Sequence, residues 1–191
     1  MKQAKLLNDA DFKRLTAVIN SLRYPNRNHA AIALRFYAGL RACGIAALHI
    51  GDMFDEAGGV KDTIYLSSAQ TKGSDSGTVL VNTKLKRQLV KFAKQYPVHI
   101  SKRTGPMLFT AQGGGFTAQT IVNLFKRLYK LAGIDGASSH SGRRQFVTQL
   151  ADRGINARLV QVLARPKHLS TTQRYIDVNE SKLRGAIELI S

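Results

Sequence analysis

The sequence predicts a mainly α-helical domain that carries a small antiparallel β-sheet. Three observations predict it. Six stretches place apolar residues at helical spacing, residues 50–81 replace that spacing with short β-type runs, and an apolar content of 43% over 191 residues suffices for one core in one domain. The same composition excludes general disorder. One Cys excludes an internal disulfide framework and a multi-Cys zinc site.

The elements follow in order. Phe12, Leu15, Ile19 and Leu22 form the first stripe, with Asn8 or Asp9 as N-cap. Residues 28–38 are apolar on most sides, which predicts a buried central helix. Gly39 ends it, because glycine takes the left-handed conformation without a Cβ penalty. Ile64-Tyr65-Leu66 and Thr78-Val79-Leu80-Val81 are the β-type runs, punctuated by Gly58-Gly59 and by residues 72–77. They predict a sheet of two or three strands. A third helix, with Leu85, Leu89, Phe92, Ala93 and Tyr96, follows Thr83, and a fourth, with Ile121, Leu124, Phe125 and Leu128, follows Thr117. Phe146, Leu150 and Ala151 mark a fifth. Leu159, Val160 and Leu163 mark a sixth, capped by Asn156. Residues 180–191 are a tail or a short helix. Gly113-Gly114-Gly115 lacks the Lys-Ser/Thr of a phosphate-binding loop and takes no nucleotide role.

The charge sets this chain apart. Lys and Arg number 29 against 12 Asp and Glu, a net charge of +17. A field of that sign attracts polyanions, with nucleic acid ahead of acidic membranes. From Ser76 to Ile134 there is no acid, while ten basic residues fall there: Lys84, Lys86, Arg87, Lys91, Lys94, Lys102, Arg103, Lys126, Arg127 and Lys130. A solvated helix surface usually interleaves Glu with Lys, so the lack of acids favours a polyanion-facing surface. No apolar run approaches the roughly 18 residues of a membrane span. Lys2 and Lys5 are followed by Asn8, Asp9 and Asp11, not by an apolar stretch, so the expectation is a cytoplasmic protein without a secretory signal.

Four places hold polar groups that the local pattern does not demand. Arg41 follows Gly39-Leu40 at the end of the buried helix. Lys72 sits in a turn between strands. His140 and Arg143 are spaced i, i+3 at a helix start, and Tyr175 closes the run Thr171 to Tyr175. Each has a plain structural reading: a C-terminal cap, a turn lysine, a half-buried histidine, a core-edge aromatic. Their joint occurrence, in this order, is what carries information.

These segments resemble the tyrosine recombinases, the phage-integrase type of site-specific recombinase. Ala38-Gly39-Leu40-Arg41 is similar to the family's T-G-L-R box, Lys72-Gly73 to its β-hairpin lysine, and His140-Ser141-Gly142-Arg143, with Phe146 after it, to its H-x-x-R box. Ser170-Thr171-Thr172-Gln173-Arg174-Tyr175 is similar to the segment ending in the nucleophile, 32 positions beyond Arg143. Pro106-Met107-Leu108-Phe109, with Gly115 and a helix after it, fits the family's middle section. The resemblance covers roughly residues 8–178. It implies the DNA breaking-rejoining catalytic fold. It also implies an enzyme that cleaves and rejoins double-stranded DNA through a 3′-phosphotyrosyl bond, acting as a homotetramer on paired sites, with no cofactor and no metal.

The implied roles fit phosphoryl chemistry. Arg41 and Arg143 would clamp the scissile phosphate, since a guanidinium fork matches phosphate oxygens and stays charged. Tyr175 would attack, His140 would assist as base or phosphate ligand, and Lys72 would protonate the leaving 5′ oxygen. The implied DNA contacts are Lys84, Arg87, Lys91, Lys126, Arg127, Lys130, Arg144 and Arg174. Three departures accompany the resemblance. Gly44 stands where the family usually has an acid, and Pro166 where it has a third basic-site His or Trp, with His168 and Arg165 as the candidate replacements. The expected architecture is a single catalytic domain over residues 1–191, without the N-terminal domain that clamps the far side of the DNA. A non-catalytic DNA-binding relative and a type IB-like topoisomerase are the alternatives.

Overall fold

Asn8 starts the first helix, α1 (Asp9–Asn20), through a reciprocal cap. Its side chain accepts from the Asp11 N–H at 2.8 Å, and the Asp11 carboxylate accepts from the Asn8 N–H at 3.3 Å. The computed structural model describes residues 3–71 and 76–164 and positions 184, 187 and 188. Leu15 and Ile19 of α1 are buried, Phe12 packs half-buried beside them, and Leu22 lies in the turn beyond the helix end. Helix α2 (Pro25–Tyr37) begins before the apolar run at residue 28. Pro25 fits the first turn, where its missing N–H leaves nothing unpaired. Every residue from Ala30 to Phe36 is buried. Phe12 and Phe36 meet edge to face, with centroids 5.0 Å apart.

Gly39 follows the end of α2 with φ +61°, in the left-handed region expected of it. A Cβ there would lie 2.6 Å from the Phe146 ring, so the position needs glycine for space as well as for conformation. Two short helices follow, α3 (Ala42–Ala46) and α4 (Ile50–Met53). Neither is visible as a pattern in the sequence, because one turn cannot display a helical period. Strands β1 (Thr63–Leu66) and β2 (Gly77–Leu80) pair antiparallel, with Ile64 opposite Val79. Ile64, Leu66 and Val79 are buried, while Tyr65 and Leu80 are exposed. Of the two or three strands expected, these two form the sheet among the described residues.

Helix α5 (Thr83–Gln95) buries Leu85, Leu89 and Phe92. Asn82, not Thr83, lies ahead of its first turn, and its side chain accepts from the Leu85 N–H at 3.0 Å. After the one-turn helix α6 (Pro97–Ile100) comes α7 (Ala118–Leu131), which follows Thr117 as expected and is capped by it. Helix α8 (Ser141–Asp152) and helix α9 (Ala157–Ala164) follow. Helix α2 is central, packed by α1, α5 and α8, while α7 rests on α1 and α3. Val147, Val160 and Ala164 form a second, small cluster between α8 and α9. Leu159 does not join the stripe assigned to it and is exposed. Val160, in the same stripe, is buried as expected, and with Ala164 one turn on it carries the packing of α9. Among the described residues no helix is long and apolar enough to cross a membrane.

Candidate active site

The site is built where the end of α2 meets the start of α8. Gly142, in the first turn of α8, lies against α2 so closely that a Cβ would be 2.7 Å from Arg35 Cγ and from the Phe36 ring. Phe146, one turn further along α8, lies on Gly39. The two glycines therefore let α8 and the Gly39-Leu40-Arg41 turn seat on each other directly. Ser141 is fully buried, and its hydroxyl accepts from the Ser138 N–H at 3.0 Å, which fixes the entry into α8.

Arg143 joins three parts of the chain. It donates from Nη1 to the Gly39 carbonyl at 2.5 Å and from Nη2 to the Ala164 carbonyl at 2.5 Å. It thus ties α8 to the turn before Arg41 and to the last residue of α9. Arg41 occupies the position before α3, where its carbonyl accepts from the Ile45 N–H at 2.9 Å. It is half-buried, and its guanidinium makes no hydrogen bond or ion pair among the described residues. Arg41 therefore does not cap α2. Arg35, in the last turn of α2, donates from Nη1 to the Leu40 carbonyl of the following turn at 2.5 Å.

His140 stands at the N-terminal end of α8 and stays accessible to solvent. Its backbone N–H donates to Ser138 Oγ at 3.2 Å. Partial burial holds its imidazole below the ordinary histidine pKa, and the positive charges of Arg35 and Arg143 push the same way. The imidazole is therefore neutral at pH 7, able to accept a proton or a hydrogen bond.

Lys72, Arg165, His168, Arg174 and Tyr175 lie outside the described residues. The chain leading to Lys72 is fixed, however. The Gln70 side chain donates to the Ala47 carbonyl at 2.9 Å and to Asp52 Oδ2 at 2.6 Å, which holds the 67–71 segment against the end of α3. Gly44, in α3, lies beside it, with room for a Cβ 3.6 Å from the Gln70 carbonyl.

The remaining cations divide. Lys84, Arg87 and Lys91 are exposed along α5, and Lys84 sits over the Tyr37 ring at 5.8 Å. Lys126, Arg127 and Lys130 are exposed along α7. Arg144 is not brought to the Arg41–Arg143 junction: its guanidinium donates to the Ala4 carbonyl of the N-terminal segment. Lys86, in the same acid-free stretch, pairs with Asp62 at 2.7 Å.

Sequence reading missed Arg35. It is 2% exposed in the last turn of α2, touching the turn before Arg41 and the first turn of α8, and its charge acts on His140. The available signal was a lone cation inside an otherwise apolar stretch.

The fold is that of a tyrosine-recombinase catalytic domain. The model of the "Phage integrase family" matches residues 5–182, and the chain belongs to that family. It is 27% identical over 188 residues to the tyrosine recombinase XerA of Pyrococcus horikoshii, covering 96% of this chain and 60% of that protein. It is 31% identical over 161 residues to the tyrosine recombinase XerD of Ralstonia nicotianae, covering 83% and 50%. The chain thus spans about half to three fifths of the relatives' length. Among solved structures, a XerA recombinase superposes with a TM-score of 0.75 at 21% identity over 98% of this chain and 66% of that one. The XerH recombinase bound to its difH substrate before cleavage gives 0.72 at 19% identity, covering 100% and 55%.

Proposed function

We propose that this chain is the catalytic domain of a site-specific DNA recombinase. In this reading Arg41 and Arg143 clamp the scissile phosphate, and Tyr175 attacks the phosphorus, displacing the 5′ oxygen and forming a 3′-phosphotyrosyl bond. Lys72 gives that oxygen its proton. Neutral His140 takes the tyrosine proton or binds a phosphate oxygen. His168 or Arg165 supplies the third basic group in place of Pro166. Attack adds negative charge to the phosphoryl oxygens, and fixed cations aimed at those oxygens lower the barrier without reorganising. The chemistry conserves bond energy, so the strand is rejoined without ATP.

One observation carries the reading: Arg143 is hydrogen-bonded to the turn that presents Arg41, and the Arg41 guanidinium makes no hydrogen bond or ion pair among the described residues. Two arginines from distant parts of the sequence are brought together and one stays available, as a phosphate clamp requires. The exposed cations of α5 and α7 fit the flanking phosphates of double-stranded DNA. The working form is a tetramer on two paired sites.

The test is a nicked duplex that traps the covalent intermediate. The native chain forms an SDS-stable adduct, and Tyr175→Phe forms none while binding DNA nearly as well. An adduct in the Phe variant removes Tyr175 as the nucleophile. No adduct from the native chain, with DNA binding retained, makes it a non-catalytic relative. Relaxation of supercoils without recombination of two sites makes it a topoisomerase. If about six phosphates are neutralised, log K against log salt falls with a slope of about −5, and a flat dependence assigns the positive surface to another partner.

A further inference from the structure

Arg35 is the largest fully buried side chain among the described residues. Burying a guanidinium in an apolar helix is costly, and a chain that does so uses the group for something a leucine cannot do. Its surroundings identify the use. From α2 its Nη1 donates to the Leu40 carbonyl, one peptide before Arg41. Its Cγ fills the space over Gly142, so its stem forms part of the seat on which α8 rests. Its charge acts on His140 at the start of α8 and on the buried Tyr129 hydroxyl of α7.

We propose that Arg35 is a positioning residue of the anion site: it fixes the turn that presents Arg41 and places a permanent positive charge behind His140. The proposal rests on the phosphate-clamp reading of Arg41, Arg143 and His140. Two consequences separate it from a purely structural cap. First, a Leu40 carbonyl held by a charged donor constrains the peptide that leads into Arg41. Loss of that donor lets Arg41 drift, and a misplacement of about 1 Å costs about a hundredfold in rate at a preorganised site. Second, the charged groups facing His140 among the described residues are Arg35 from α2 and Arg143 from α8, both positive. Removing the Arg35 charge raises the imidazole pKa even if the fold is unchanged.

The experiment uses the full chain with its histidines isotopically labelled and three variants, Arg35→Met, Arg35→Gln and Arg35→Lys. In the protein alone, the His140 titration midpoint is expected below the ordinary value in the native chain and in Arg35→Lys, and higher in Arg35→Met and Arg35→Gln. On the nicked duplex at saturating protein, cleavage is expected to slow about tenfold to a hundredfold in Arg35→Met, with DNA affinity within about twofold of native and partial recovery in Arg35→Lys. If Arg35→Met fails to fold by its thermal melt, Arg35→Gln replaces it, since it keeps a donor without the charge. An unmoved His140 midpoint in a folded uncharged variant overturns the inference, as does native cleavage by Arg35→Met. If the native chain forms no adduct, the recombinase reading fails, while the His140 midpoint still decides whether Arg35 sets the field of this cluster.

Discussion

Two corners of this domain bury charged side chains, and they do so in opposite ways. Near the N-terminus the Asp11 carboxylate, 1% exposed, is gripped by Lys5 at 2.9 Å and Arg14 at 2.6 Å and also closes the cap of α1. Opposite charges pair there, two cations on one carboxylate. At the α2–α8 junction, Arg35 and Arg143 donate to the carbonyls of Leu40, Gly39 and Ala164. Those carbonyl oxygens satisfy the N–H groups without themselves supplying a negative charge. The first corner joins opposite charges and the second sets guanidinium groups on backbone oxygens, so among the described residues the type of acceptor is what distinguishes them.

Substitutions at the second corner have the largest effect. Arg143→Ala and Arg41→Ala each slow strand cleavage by orders of magnitude, since a lost transition-state donor costs about 3–4 kcal/mol. Their stabilities differ. Arg143→Ala loses contacts to two backbone carbonyls and melts earlier, by about 3 kcal/mol. Arg41→Ala stays within about 1 kcal/mol of native. Equal melting of the two variants, read by calorimetry, breaks the comparison.

Asp11→Asn tests the first corner. It destabilises the fold by about 2 kcal/mol through lost charge-assisted bonds and leaves the cleavage rate of the folded protein unchanged. Burial alone raises the Asp11 pKa, but the hydrogen bonds from Lys5, the Asn8 backbone and Arg14, with the Lys5 charge, outweigh it and hold it below the ordinary carboxylate value. The stabilisation is therefore present above the unfolded carboxylate pKa of about 3.9 and is lost as pH falls through the lower folded value. A denaturation series from pH 5 downwards should show this slope in the native chain and a shallower one in Asp11→Asn.

Much of this contrast was legible in the sequence, and the illegible part has a physical cause. Asn8 as cap, Gly39 as stop and the stripes of α5 and α7 are local signals, set within a few residues. The one-turn helices α3, α4 and α6 are too short to show a period. Of the stripe Leu159, Val160 and Leu163, Val160 reaches the contact with α8, together with Ala164, and Leu159 is exposed. For the candidate site, the sequence placed Arg41, His140 and Arg143 in order but left open what they touch. Arg35 and Arg144 show why: one was hidden inside an apolar run and turns out to hold the turn before Arg41, and the other, beside Arg143, is taken up by Ala4. Contacts between residues this far apart in the chain leave no periodic trace.

Smaller effects sharpen the same picture. Gly44→Ala fits the space beside the Gln70 carbonyl and improves the propensity of α3, for a gain of about 0.5–1 kcal/mol seen as a higher melting temperature. His140, with its pKa below the ordinary value, takes its proton in the unfolded chain first. Its contribution is thus neutral above the unfolded pKa of about 6.5, and stability declines as pH falls through that value. His140→Gln should flatten this slope between about pH 7 and 5, and an unchanged slope assigns it to other histidines.

The contact of Phe146 with Gly39 bears on how Arg41 and Arg143 move. Arg41 follows that glycine by two residues, and Arg143 precedes that phenylalanine by three on the same helix. Any shift of α8 along α2 must carry the turn with it or force the ring into backbone. The spacing between the two guanidinium roots therefore behaves as a single rigid length, set when the core closes, and thermal motion of the domain translates the pair together instead of opening it.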